Sequence, residues 1–92
     1  MKLVLTNRFN KQVRKTAEHD SFLKEKITDT LKLLETEPFN SKLHTHRLKG
    51  GLSNCLACSV GYDYRIIFEI KTMENQERKI ILHSFGTHDD VY

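Results

Sequence analysis

Apolar residues recur every three or four positions in the first third of the chain and every second position in the last third. Phe9, Val13 and Ala17 fall at spacing four, which places them on one helical stripe. Thr6 or Asn7 just before them can accept an otherwise orphaned N–H of the first turn. His19-Asp20 breaks the stripe, and Asp20 or Ser21 can cap a second helix. There Leu23, Ile27, Leu31 and Leu34 repeat at spacings of four, four and three, with Lys, Glu and Asp between them. That helix is predicted to stop before Pro38, because proline disfavours helical geometry in the residue preceding it. Leu3-Val4-Leu5 predicts a short opening strand.

From Phe39 to Lys49 the periodicity dissolves, and Gly50-Gly51 marks a turn. Residues 54–60 (NCLACSV) read as a small apolar strand. Residues 62–70 (YDYRIIFEI) alternate plainly: Tyr62, Tyr64, Ile66, Phe68 and Ile70 share one face, and Asp63, Arg65, Ile67 and Glu69 share the other. Residues 77–85 (ERKIILHSF) follow the polar connector MENQ, which has hairpin length. The order β-α-α-β-β-β predicts a single α+β domain over residues 1–92. An N-terminal helical hairpin packs on a small, mainly antiparallel sheet. The last three strands form a meander, since their connections are too short for parallel crossovers.

Composition narrows the class. Ninety-two residues with 38% hydrophobic content supply one modest core. No run approaches the roughly 18 apolar residues of a membrane helix, and MKLVLTNRFNK turns polar too early for a secretory signal. The expected location is the cytoplasm. A formal charge of +3 permits a polyanionic partner without demanding one.

Four constellations could carry chemistry. His44-Thr45-His46 with Cys55 and Cys58 offers four zinc-type ligands. If residues 54–60 form a strand, however, positions three apart point to opposite faces, so the two thiols cannot serve one metal. HRLKGG (46–51) is a basic turn carrying a histidine. Asp63-Tyr64-Arg65 puts an acid and an arginine on one sheet face, where a surface ion pair is the plainer explanation. The tail supplies His88, Asp89, Asp90 and Tyr92. Gly86 is expected to end the last strand and swing residues 87–92 back over the sheet, placing His88 and Tyr92 near Asp63 and Arg65. Taken together, these side chains suit cleavage of RNA by its own 2′-hydroxyl. That reaction needs a base, an acid and cations around the phosphate, and no metal. Histidine titrates near neutrality, arginine matches phosphate oxygens, and tyrosine can stack on an extruded base.

HRLKGG (46–51), SVGYDYRIIFEI (59–70) and ILHSFGTHDDVY (81–92), behind a helical hairpin, together resemble the RelE/ParE superfamily of bacterial toxins. The closer resemblance is to the RelE/YafQ branch of ribosome-dependent mRNA interferases in type II toxin–antitoxin systems. The resemblance implies a RelE-like fold and an endoribonuclease without a cofactor. Its partners would be mRNA on the ribosome and a cognate antitoxin whose flexible segment folds on binding, in a toxin–antitoxin hetero-oligomer. It further implies an active site of His46, Asp63, Arg65, His88 and Tyr92. Asp63 or His46 would help remove the 2′-proton, Arg65 would neutralise the phosphate, His88 would act on the leaving group and Tyr92 would hold the base. Arg47, Lys49 and Tyr64 are the implied RNA contacts. Ser59 stands where that branch has another histidine, Tyr64 where it has tryptophan, and Leu56 and Ala57 replace polar residues. The alternative within the superfamily is a ParE-like gyrase inhibitor, or an inactive homologue that only binds antitoxin.

Overall fold

The computed structural model describes residues 1–50 and 54–91, with Asp90 described by its backbone alone. Gly51 of the expected turn and Tyr92 of the expected site lie outside the described residues. Lys2–Leu5 form β1. Thr6, in extended geometry, then starts α1 (Asn7–Ala17), its hydroxyl accepting from the Phe9 N–H at 3.2 Å. Asp20 caps α2 (Ser21–Thr36) in the same way through the Leu23 N–H at 3.0 Å. Each cap satisfies one of the helix's orphan donors. As the spacing predicted, α2 ends before Pro38. A 3-10 turn (Ser41–Leu43) leads to a two-residue strand β2 (His46–Arg47), then β3 (Leu56–Val60), β4 (Tyr64–Thr72), β5 (Arg78–Thr87) and a single turn of helix α3 (His88–Val91).

The five strands form one sheet in the order β1-β5-β4-β3-β2. Strands β2 to β5 run antiparallel to their neighbours, and β1 lies parallel to β5, pairing Lys2 with Lys79 through Leu5 with Leu82. Both helices cover one face. Phe9, Ala17, Leu23, Ile27 and Leu34 are buried there against Leu56, Cys58, Val60, Ile66, Phe68, Ile80, Leu82 and Phe85. Burying each large apolar side chain of that layer stabilises by about 1.5–3 kcal/mol. The opposite face carries a smaller cluster of Leu48, Ala57 and Ile67, on which Cys55 and Val91 pack.

Three expectations are corrected. Strand β4 begins at Tyr64, because Gly61 takes a left-handed conformation (φ 62°) and opens a turn over residues 61–63. Tyr62 and Asp63 therefore do not belong to the alternating strand, and Asp63 does not share a sheet face with Arg65 by strand register. Strand β5 runs through Gly86, which pairs with Arg65, and ends at Thr87. Residues 46–47, expected to be irregular, add an edge strand. Between Ile67 and Phe68 the β4–β5 register shifts, so that Ser84 faces Ile67 and Leu82 faces Phe68, with His83 as the extra residue. Where β1 ends, α1 takes over that edge of β5: Gln12 Oε1 accepts from the Phe85 N–H at 2.8 Å and Thr6 Oγ1 donates to the Leu82 carbonyl at 2.7 Å.

Candidate active site

Directly paired residues of antiparallel strands put their side chains on the same face. On the face away from the helices the register sets Ser59 opposite Arg65, and Arg65 opposite Gly86, which adds no side chain to the row. His46 pairs with Ala57, two residues along β3 from Ser59, and so joins this face at its edge. Two strand spacings of about 4.8 Å and two residues of about 3.4 Å put the His46 and Arg65 Cα atoms roughly 12 Å apart. Two long side chains can close on a phosphate across that span. Between them lies an open cleft of about 470 Å³ lined by His44, His46, Ser59, Gly61, Tyr62 and Arg65.

Local backbone geometry sets the chemistry of both charged-group candidates. His44 closes the 3-10 turn in the left-handed region (φ 51°), a conformation that costs a non-glycine residue about 1–2 kcal/mol. In that position its carbonyl oxygen lies 3.0 Å from His46 Nδ1. A carbonyl only accepts, so Nδ1 carries the proton and, in the neutral ring, Nε2 carries the lone pair. Thr45 pins the same loop by donating to the Pro38 carbonyl at 2.6 Å. Arg65 Nη1 donates to the carbonyls of Tyr62 (3.2 Å) and Tyr64 (2.9 Å), which fixes the guanidinium beside the 61–63 turn. Among the described residues no hydrogen bond engages its Nε or Nη2, so three of its five donors remain for a ligand.

The structure divides the remaining residues. Asp63 lines a second, smaller cleft on the helix side of the turn, together with Asp20 and Lys26 of the α2 region. Tyr64 lies on the helix-bearing face, its ring stacked on Phe85 with centroids 5.3 Å apart and planes at 8°. Arg47 pairs with Leu56, whose side chain belongs to the helix-side core, so the register sends Arg47 to the opposite face from His46. Lys49 is exposed in the loop after β2. His88 opens α3 as an exposed ring, 3.8 Å from the Asp89 carboxylate through Nδ1. Helix α3 packs against β4 and β5 and is held by Val91 on the Leu48–Ala57–Ile67 cluster, so the tail through Val91 is docked. His44, considered from the sequence only as a zinc-type ligand, lines the cleft with Ser59 and Tyr62, neither of which was assigned a role there. Gly61-Tyr62 carried the missed signal, since a glycine ahead of an aromatic marks a turn that presents a ring to solvent.

The thiols separate as strand alternation predicts: Cys58 is buried in the helix-side core, and Cys55 packs on the other face. Burial pushes the Cys58 thiol up to about 12, and burial with the nearby Glu69 carboxylate raises that of Cys55. Among the described residues no three His, Cys, Asp or Glu side chains converge to hold a metal ion.

Over residues 1–92 the sequence matches the family described as bacterial toxin of type II toxin–antitoxin system, YafQ. The chain belongs to the YafQ toxin family. No curated protein matches it. The fold of this YafQ-family toxin is similar to that of the YoeB/ParE toxin from Agrobacterium tumefaciens, at 20% identity and TM-score 0.80, covering 96% of this chain and 99% of that one. It is also similar to a metal-bound toxin from Helicobacter pylori, at 26% identity and TM-score 0.78 over 100% and 99% of the two chains. A third similar structure is the E. coli DinJ–YafQ complex, at 19% identity and TM-score 0.71 over 99% and 97%. The helical hairpin on a five-stranded mixed sheet is thus the RelE/YafQ-like toxin fold, and the protein is a toxin of a type II toxin–antitoxin system. Among its described residues no helix is long and apolar enough to cross a membrane.

Proposed function

We propose that this toxin is an endoribonuclease that cuts mRNA on the ribosome, in the cytoplasm, by attack of a ribose 2′-hydroxyl on the adjacent phosphate. The O2′–P bond forms and the P–O5′ bond breaks, leaving a cyclic phosphate and a free 5′-hydroxyl. Protons move only between side chains and the ribose oxygens, so neither metal nor cofactor is required. The observation that carries this reading is the pairing, across one cleft, of His46 with its proton fixed on Nδ1 and Arg65 with three donors that no described residue engages. His46 Nε2 takes the 2′-proton, and Arg65 stabilises the charge that builds on the phosphate. His88, on the docked tail, protonates the leaving 5′-oxygen, and Tyr92 orients the nucleotide. Lys49 lies on the loop after the edge strand, where it contacts phosphates of the bound strand; Arg47, turned to the opposite face, does not reach the cleft. The partner that silences the toxin is its cognate antitoxin, a segment of which folds over this surface.

The test is induction of the wild type and of Arg65→Ala in bacteria lacking the antitoxin, followed by mapping of mRNA 5′ ends. Codon-phased cuts that fall by about 10²–10³-fold with Arg65→Ala are expected. Growth arrest with intact messages and inhibited DNA supercoiling would instead identify a gyrase-directed toxin and overturn the reading.

A further inference from the structure

His44 lines the same cleft as His46, Ser59 and Arg65, yet the reaction outlined above leaves its ring unused. Its place on the sheet follows from register. His46 pairs with Ala57, and carrying that antiparallel register two residues back brings residue 44 beside Ser59, which faces Arg65 across β3 and β4. Two strand spacings of about 4.8 Å then separate the backbones of His44 and Arg65, roughly 10 Å, less than the roughly 12 Å from His46. The ring is exposed, and among the described residues no hydrogen bond or ion pair engages it. The backbone beneath it is strained. As the C-cap of the 3-10 turn, His44 stands at φ 51° and ψ 38°, its N–H donating to the Ser41 carbonyl at 3.3 Å. Glycine takes this left-handed capping position without steric cost, whereas a Cβ opposes it. The turn gains nothing from a histidine in return. The carbonyl that faces His46 Nδ1 belongs to the main chain, and glycine would present it equally well. What the histidine adds is an imidazole at the cleft, and backbone strain of this kind persists at functional sites where the side chain is used.

Resting on the ribonuclease reading above, we propose that His44 is a further catalytic residue, which donates a hydrogen bond to a non-bridging oxygen of the scissile phosphate across the cleft from Arg65. An imidazole keeps at least one N–H in either charge state, so it can donate whether neutral or protonated. As O2′ bonds to phosphorus, charge builds on the non-bridging oxygens, and donors aimed at that charge lower the barrier. Arg65 meets it from β4, and His44 meets it from the turn before β2. His46, two residues further on, takes the 2′-proton. One strained turn thereby serves both histidines: its carbonyl sets the tautomer of His46, and its side chain holds the phosphate that His46 prepares for attack. No proton passes through His44, so the bonds formed and broken are those given above.

The experiment compares the wild type with His44→Gly on ribosomes carrying a synthetic mRNA. The linkage at the mapped cut position is an ordinary phosphate or one of its two phosphorothioate diastereomers. Sulfur is a weak acceptor, so one diastereomer removes the contact to His44 from the substrate side. Glycine relieves the turn, and the urea midpoint of His44→Gly is expected not to fall below that of the wild type. On the ordinary linkage His44→Gly is expected to cut on the order of 10²-fold more slowly in a single turnover, with substrate affinity little changed. The wild type is expected to cut one diastereomer about tenfold or more slower than the other, and His44→Gly to cut the two within about threefold. If His44→Gly cuts the ordinary linkage as fast as the wild type, the assignment is overturned while the ribonuclease reading stands. A slow His44→Gly that keeps the full difference between diastereomers overturns it too, because a residue that only shapes the turn slows both alike. A wild type that cuts none of the three linkages would overturn the ribonuclease reading itself.

Discussion

The Cys58 thiol, fully buried among Leu56, Val60, Ile66 and Phe68, makes a quantitative prediction about alkaline stability. Burial raises it from an ordinary value of 9.0 to about 12, with the Ile66 backbone and Arg65 opposing the rise. The sign follows from proton counting. Between pH 9 and pH 12 the folded state keeps a proton that the unfolded chain releases, so stability falls as pH rises. The contribution is complete below about pH 9 and lost as pH climbs towards 12. At about pH 10.5, release in the unfolded chain is favoured by about 2 kcal/mol, from 1.36 kcal/mol per tenfold change in proton activity. Cys58→Ala removes this term and costs about 1 kcal/mol for the lost packing volume. The wild type is therefore expected to be more stable than Cys58→Ala by about 1 kcal/mol at pH 7.5, and less stable by about 1 kcal/mol at pH 10.5. Every other ionisable group is common to both proteins and cancels from the comparison. With no tryptophan in the chain, the assay is urea unfolding followed by far-UV circular dichroism, with reductant present. A stability gap that stays constant across this range would refute the reasoning. The same burial keeps Cys58 a neutral thiol at physiological pH, whereas metal ligation requires the thiolate.

Thr6→Ala removes the α1 cap and the hydroxyl that reaches the Leu82 carbonyl; a loss of about 1–2 kcal/mol is expected in the same unfolding assay. Val91→Asp sets a carboxylate against Leu48, Ala57 and Ile67 and is expected to undock α3. Amide exchange at residues 88–91 accelerates and mRNA cutting falls, while the urea midpoint hardly moves. Continued protection of those amides would show that Val91 does not hold the tail.

Both helices were legible because their stripes are long. Phe9, Val13 and Ala17, and Leu23, Ile27, Leu31 and Leu34, repeat often enough to fix a face, and Thr6, Asp20 and Pro38 mark the ends. The meander was legible from alternation and connector length. Strand ends were not. Tyr62 and Asp63 continue the alternation of β4 past its start, and periodicity cannot reveal that Gly61 has already turned the backbone. Strand β2 is too short to leave any periodic trace. Gly86 reads as a breaker, yet a glycine inside a strand satisfies the ladder as well as any residue. For the site, the sequence named His46 and Arg65, which one cleft unites. It also grouped Asp63 and Tyr64 with them, and the turn and the register send these elsewhere. His44, Ser59 and Tyr62 were not placed in the cleft from the sequence, because their positions there come from a left-handed turn, a cross-strand partner and a hairpin bend. All three are relations between positions far apart in sequence, or are set by backbone angles.

Among the described residues β1 pairs with β5 alone, so the Thr6 hydroxyl waits for a carbonyl 76 positions further on. Antiparallel hairpins can close as soon as they are made, but this parallel pair cannot. A nascent chain therefore carries both helices and four strands, β1 among them still unpaired, with the Phe9 and Leu34 layer uncovered by Ile80, Leu82 and Phe85. The strand that completes this layer also holds Gly86 beside Arg65 and leads into His88. Core closure and assembly of the proposed catalytic cleft are one event, set by the arrival of residues 78–87.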